Sequence, residues 1–204
     1  EVANKIDLIF KKGNTLYLAS GTSDASKRGI YKFVDGAWVH KSKGLPEDNA
    51  RDINDAVVAG NRIIIASARG IYYSDDDAES WSNSKDGLVE NAGYFTITYN
   101  DKYLLISNTM GFGIYRADPS DLKWSKKNSG LSNGNDKRAL DLLSDGRNVI
   151  AATNSKIFIS ENDGDNWVRY DEGLNSSGFQ SAAIKNNTLF VGSSDGKIWR
   201  LSRK

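Results

Sequence analysis

Apolar residues along this chain come in short bursts that alternate with polar ones, and turn-forming residues cut every burst short. Within residues 49–91 four such bursts fall at 55–59, 62–67, 70–74 and 81–84. They are rich in Ile, Val, Tyr and Trp, the side chains that suit a pleated, half-buried surface. Between the first and second bursts of successive segments stand Lys12-Gly13-Asn14, Gly60-Asn61, Asn100-Asp101, Asp145-Gly146 and Asn186-Asn187. Such residues tolerate the positive φ that a tight hairpin requires. No stretch sustains a 3.6-residue apolar period, so the pattern predicts strands and almost no helix.

The bursts repeat. Trp38, Trp81, Trp124 and Trp167 are spaced by 43 residues, and so are Gly44-Leu45, Gly87-Leu88, Gly130-Leu131 and Gly173-Leu174. A third marker precedes each tryptophan and has a fifth copy: Gly29-Ile30-Tyr31, Gly70-Ile71-Tyr72, Gly113-Ile114-Tyr115, Lys156-Ile157-Phe158 and Lys197-Ile198-Trp199. A period of this length, with four antiparallel strands in each copy, is the signature of a β-propeller. We therefore expect an all-β propeller of about five four-stranded antiparallel blades, one domain over 1–204, with repeats near 6–48, 49–91, 92–134, 135–177 and 178–204. The second bursts end on small residues (Ala19-Ser20, Ala66-Ser67, Ala152-Thr153, Gly192-Ser193), as strands crowding an axis would. The fifth copy stops before its fourth strand, so the last blade is incomplete. Residues 1–5 are a short candidate to complete it, and an incomplete ring leaves room for an oligomer.

Composition narrows the function classes. A net charge of +1 gives no field to gather nucleic acid or an anionic surface. Cysteine is absent, which removes disulfides and thiolate chemistry. The longest purely apolar run, Ile63-Ile64-Ile65-Ala66, is too short for membrane insertion. The chain begins at Glu1 rather than Met, and we expect an exported, extracytoplasmic protein of bacterial type.

The turn before two of the tryptophans carries a further pattern. Ser74-Asp75-Asp76-Asp77-Ala78-Glu79-Ser80-Trp81 resembles the Asp-box, Ser-x-Asp-x-Gly-x-Thr-Trp, of the sialidase-type (BNR) repeat propellers. Ser160-Glu161-Asn162-Asp163-Gly164-Asp165-Asn166-Trp167 is similar, with Asn162 in the aspartate position. Residues 117–124 keep Trp124 and Asp118, and residues 32–38 keep Trp38 in a shorter turn. The resemblance implies a structural role. The box is a hairpin turn between the third and fourth strands, away from the ligand face, and Ser74, Asp76, Trp81, Ser160, Asn162, Gly164 and Trp167 hold the blade together.

The same resemblance brings in an enzyme reading, because the family includes glycoside hydrolases. A sialidase site would need three arginines, and Arg51, Arg69 and Arg138 lie on suitable loops. The chain nevertheless lacks the Arg-Ile-Pro segment that usually carries the first; its only prolines are Pro46 and Pro119. It is also too short for six blades. Other carboxylates open to a hydrolase or lyase are Asp52, Asp136 and Asp141. His40, the single histidine, reads as a strand residue. The acidic turns at 75–77 and 163–165 match no full calcium loop, so no metal and no cofactor is expected.

Propeller geometry then points to the loop face. The residues entering the first strands are Arg51, Tyr94, Arg138 and Phe179, and Arg69 lies on a second-to-third turn. Two second-to-third loops are longer than the rest, 21–28 and 108–113, the latter with Met110 and Phe112. Arg and aromatic residues make binding hot spots. The candidate ligand-binding set is therefore Arg51, Arg69, Tyr94, Phe112, Arg138 and Phe179. These positions differ from copy to copy, which favours one asymmetric site over a sugar site in every blade. The expectation is a non-catalytic interaction module for a protein or glycan, with a sialidase-like hydrolase or lectin as the alternative.

Overall fold

The computed structural model describes residues 5–47, 51–90, 92–146, 148–176 and 178–202. It holds five antiparallel sheets in which every strand pairs with its neighbours in sequence. The first contains β1 (Leu8–Lys12), β2 (Thr15–Ser20), β3 (Gly29–Val34) and β4 (Ala37–His40). The second contains β5 (Ile53–Ala59), β6 (Arg62–Ser67), β7 (Gly70–Ser74) and β8 (Ser82–Ser84). The third runs through β9 (Tyr94–Tyr99), β10 (Leu104–Asn108), β11 (Ile114–Ala117) and β12 (Ser125–Lys126). The fourth runs through β13 (Ala139–Ser144), β14 (Val149–Thr153), β15 (Ile157–Ser160) and β16 (Val168–Arg169). The fifth has three strands among the described residues: β17 (Phe179–Lys185), β18 (Thr188–Ser193) and β19 (Ile198–Ser202). The only helical element among these residues is a single 3-10 turn at Ala25–Lys27. The chain divides into two compact units, Glu1–Tyr94 and Phe95–Lys204.

Each local element follows from the residues that form it. The first-to-second turns take left-handed backbone at Gly13, Gly60, Asp101, Gly146, Asn186 and Asn187, the residue types for which that conformation costs least. Three of the second strands, β6, β10 and β14, are buried on both faces, as in Ile63, Ile64, Ile65 and Ala66, all 0% exposed. That explains a continuous apolar run where the outer strands alternate. The small residues closing these strands turn their hydroxyls onto backbone. Ser67 Oγ donates to the Gly70 carbonyl (2.9 Å) and Ser107 Oγ accepts from the Ala139 amide (3.0 Å). Of the segment offered for the missing strand, residues 1–4 lie outside the described residues. Lys5 is held by the first sheet, its carbonyl accepting from Ser20 Oγ at 2.8 Å.

The tryptophans tie one sheet to the next. Trp81 donates from Nε1 to the Lys41 carbonyl (2.8 Å) and from its amide to the Lys43 carbonyl (2.9 Å). Trp167 repeats this with Lys127 (2.8 Å) and Ser129 (2.9 Å). The Gly-Leu marker belongs to the same joint. Gly44 and Gly130 have φ of +92° and +89°, and a Cβ on either would collide with the carbonyl of Trp81 or Trp167. Leu45 packs in one buried cluster with Ile30, Ile63 and Trp81, and Leu131 in another with Ile114, Leu142 and Trp167. A third cluster sets Ile157 against Phe179, Leu189 and Val191. The third-strand isoleucines Ile30, Ile114 and Ile157 are thus each covered by the sheet that follows.

Candidate functional site

In the second, fourth and fifth sheets the loop that enters the first strand and the one that leaves the second are stitched together at one end. The Ala68 amide donates to the Asp52 carbonyl (3.0 Å), Asn154 to Arg138 (3.1 Å) and Ser194 to Gly178 (2.9 Å). A register shift opens the first strand beside these stitches, at Ile53/Asp55, Ala139/Asp141 and Phe179/Ser181. Bulges of this kind redirect side chains at the rim of a sheet.

In the unit Glu1–Tyr94, this end carries two clefts that share Pro46. One, of about 270 Å³, is lined by Arg69, Tyr72, Asn83, Lys85, Glu90 and Tyr94 among others. Arg69 is exposed on its lining. Tyr94 is buried and forms its wall, its carbonyl accepting from Asn54 Nδ2 at 2.7 Å. The second cleft, of about 740 Å³, is lined by His40, Lys41, Lys43, Glu47, Arg51 and Glu79 among others. Arg51 is 9% exposed, reaches the Leu45 carbonyl at 3.4 Å and lies 3.7 Å from Glu47. Its Nε is buried with no hydrogen-bond partner among the described residues. His40 Nε2 is spent on the Arg28 carbonyl (3.0 Å), with its ring against Tyr31.

In the unit Phe95–Lys204, the loop 108–113 presents two large apolar side chains, Met110 at 65% and Phe112 at 37% exposure. The loop is held from beneath. Asn108, fully buried, accepts the Met110 and Phe112 amides on Oδ1, each at 3.0 Å. Sequence reading passed over Asn108; the available signal was an Asn closing a strand just before a Gly-containing loop, the Asx-turn composition. Arg138 lays its guanidinium 5.2 Å from the Phe95 ring, so part of its charge is engaged inside the unit. Phe179 is fully buried in the core of the fifth sheet. Of the six candidate residues, then, Arg69 and Phe112 present surface, Arg51 and Arg138 are largely engaged, and Tyr94 and Phe179 act by packing.

The carboxylates suited to catalysis are occupied as acceptors. Asp52 faces Arg28 Nε at 3.3 Å. Asp141 Oδ2 accepts the Ala182 amide at 2.7 Å, joining the fourth sheet to the fifth. Asp136 is fully buried and accepts from the hydroxyls of Ser132 (2.6 Å) and Ser155 (2.5 Å) and from Asn133 Nδ2 (3.0 Å). Burial pushes its carboxyl up, but these hydroxyls and Lys156 outweigh burial and hold it below the ordinary aspartate value. It stays ionised at neutral pH and has no proton to give.

The acidic turns are likewise neutralised from within their own units. Asp75 pairs with Arg62 (2.7 Å), Asp163 with Lys102 (3.0 Å) and Asp165 with Arg116 (3.1 Å). Among the described residues, no three of His, Cys, Asp and Glu gather where they could share a metal ion. Likewise, no helix in them is long and apolar enough to cross a membrane.

No family model and no curated protein matches the sequence. Solved structures do. The extracellular domain of the hybrid two-component system BT4673 from B. thetaiotaomicron superposes with a TM-score of 0.76 at 17% identity, over 98% of this chain and 26% of that one. YCF48 bound to a D1 peptide gives 0.70 at 15% identity, over 97% and 63%. A GH74 enzyme from Niastella koreensis gives 0.69 at 12% identity, over 98% and 36%. The fold is a β-propeller. At these identities the likeness extends to the fold alone, and the five sheets are its blades. The chain spans from about a quarter to under two thirds of the length of these three solved chains.

Proposed function

We propose that the chain is a non-catalytic interaction module of the Asp-box (BNR) propeller type, working outside the cytoplasm and engaging a protein or glycan through the loop end of its blades. One observation carries the reading. The carboxylates that chemistry would need, Asp52, Asp136 and Asp141, are bound to neighbouring protein groups, while Met110 and Phe112 stay exposed on a loop pinned by a buried asparagine. A pre-ordered apolar pair loses little entropy on binding, which makes it a good interface anchor. Arg69, exposed on the lining of the smaller cleft, adds a charged contact in the other unit. The two-component protein and the peptide-bound propeller among the similar structures support a recognition role.

A glycan array and a pull-down, each run with wild type and with the Met110→Ala/Phe112→Ala double variant, test this. Wild type captures a defined ligand, and the double variant loses about tenfold or more in affinity, as truncation of a two-residue anchor does. Turnover of aryl glycosides that disappears with Glu90→Gln would overturn the reading in favour of a glycoside hydrolase, since Glu90 lines the smaller cleft.

A further inference from the structure

The second blade lacks a cover that the first and third blades carry. In the first, Ser42 stands four residues after Trp38, and its Oγ accepts the Ile30 amide at 3.0 Å. In the third, Asn128 stands four residues after Trp124, and its Oδ1 accepts the Ile114 amide at 2.9 Å. Each side chain lies directly over the glycine that precedes the isoleucine. A Cβ on Gly29 would fall 2.1 Å from Ser42 Oγ, and one on Gly113 would fall 2.0 Å from Asn128 Oδ1. The same position in the second blade is Lys85, four residues after Trp81. An ammonium has no lone pair with which to receive an amide, so lysine cannot act as this cover. Over Gly70 the nearest atoms to an added Cβ are Asn83 Nδ2 and Tyr72 Cε2, both at 3.6 Å, an ordinary contact distance.

Gly70 lines the cleft of about 270 Å³, so the missing cover and the cleft are one feature. Two cations, Arg69 and Lys85, stand exposed on its lining. Neither side chain makes a salt bridge or a hydrogen bond among the described residues. Other cations of the same unit are paired: Arg28 with Asp52 (3.3 Å), Arg62 with Asp75 (2.7 Å) and Lys41 with Glu79 (2.5 Å). Glu90 is the one acid among the described lining residues, and the two cations outnumber it. The rest of the wall is mixed, with the Asn83 amide facing the same space as the Tyr72 ring.

A ligand matched to this lining brings an anion to Arg69 and Lys85, hydroxyls to Asn83 and Glu90, and an apolar face to Tyr72. A carboxylate meets the first need, because a guanidinium binds it through two parallel hydrogen bonds. The acidic side chain of a peptide supplies a carboxylate but no hydroxyls. A neutral sugar supplies hydroxyls but leaves both cations without a counter-charge. A hexuronic acid residue supplies a carboxylate, several hydroxyls and a C–H face on one ring. We propose that the cleft over Gly70 binds a hexuronic acid unit of an acidic glycan, with its carboxylate on Arg69 and Lys85. This rests on the reading of the chain as a non-catalytic binder, and it names the class of glycan that one of its units takes.

The test titrates the full chain by calorimetry with trisaccharides of galacturonic acid and of glucuronic acid, with the neutral galactose trisaccharide, and with a triglutamate peptide. A uronide binds saturably at one site, and the neutral sugar and the peptide bind about tenfold or more weakly. Lys85→Asn gives the second blade the cover of the third and lowers uronide affinity by about tenfold or more, the worth of one hydrogen bond to a charged group. Arg69→Gln, a change at an exposed position, does the same and guards against misfolding of the first variant. Four results overturn the proposal: binding of neither uronide, equal affinity for acidic and neutral sugars, tighter binding of the peptide than of the uronides, or wild-type affinity in both variants. If any of these occurs while the loop with Met110 and Phe112 still captures a ligand, the non-catalytic reading stands without this site. New reducing ends released from a bound uronide would overturn that reading and support the site.

Discussion

The turns at 74–81 and 160–167 build one structure with different charge. In the first, Asp76 Oδ1 accepts from Ser74 Oγ (2.8 Å) and the Ser80 amide (2.9 Å), while Ser74 Oγ accepts the Ala78 amide (2.9 Å). In the second, Asn162 Oδ1 accepts from Ser160 Oγ (2.9 Å) and the Asn166 amide (2.9 Å), and Ser160 Oγ accepts the Gly164 amide (2.8 Å). A neutral amide oxygen does what a carboxylate oxygen does. The turn needs an acceptor of the right reach, not an anion. The aspartate adds one bond, from Ser80 Oγ to Oδ2 (2.5 Å), that the asparagine version lacks. Ala78 and Gly164 occupy equivalent left-handed positions, with φ of +70° and +85°. At Gly164 a Cβ would sit 2.8 Å from Leu105 Cδ2, so only the first turn has room for alanine.

The largest effect expected within this comparison comes from the tryptophans the two turns deliver. Trp81→Ala and Trp167→Ala should each cost about 3–5 kcal/mol in denaturant unfolding. Similar costs are expected because the two side chains are 4% and 2% exposed and make matching bonds. A cost under half of that at either site would break the equivalence. Next come the glycines beneath them. Gly44→Ala and Gly130→Ala should each lose on the order of 2 kcal/mol or more through backbone strain and collision. Gly173→Ala carries the strain without the collision, and thermal denaturation should rank it clearly milder.

Ser74→Ala and Ser160→Ala should each cost roughly 1–2 kcal/mol, since each strands a turn amide whose acceptor was a buried hydroxyl. Asp76→Asn makes the first turn resemble the second. Exposure and solvent screening keep its cost below ~1 kcal/mol at neutral pH. Its signature is in acid. The Ser80 hydroxyl and amide hold Asp76 down to about 2, below the ordinary value of 3.8. A carboxyl whose folded value is depressed stabilises the fold above its unfolded value, and that share is lost as pH falls toward the folded one. Stability measured from about pH 4 to about pH 2 should therefore decline less steeply in Asp76→Asn and more steeply in Asn162→Asp. Parallel pH curves for wild type and Asp76→Asn would contradict the role given to the carboxylate.

The candidate site was less legible in the sequence than these fasteners. Arg51, Tyr94, Arg138 and Phe179 share one topological position, and sequence alone treats them alike. The structure makes Phe179 a core residue, Tyr94 a cleft wall and Arg51 a nearly buried cation, leaving Phe112 and Arg69 to meet solvent. What separates them is how the neighbouring sheet packs over each side chain, a long-range property that no local pattern encodes. The support beneath Phe112 has the same origin, because Asn108 is buried only once its blade is assembled.

Strands, turns, the 43-residue period and the acidic boxes were set by the sequence itself. Each depends on contacts within one hairpin: alternation across a pleat, glycine or asparagine at a left-handed turn, a short side chain closing its own loop. Exposure was decided only by the tertiary structure. Five isoleucines stand at one repeat position in nearly identical local sequence, and four are sealed while Ile198 lies open. In the three that the core clusters resolve (Ile30, Ile114 and Ile157) the seal comes from the sheet that follows in the chain. Burial is a property of the neighbour, and the residue's own sequence does not say whether a neighbour is there.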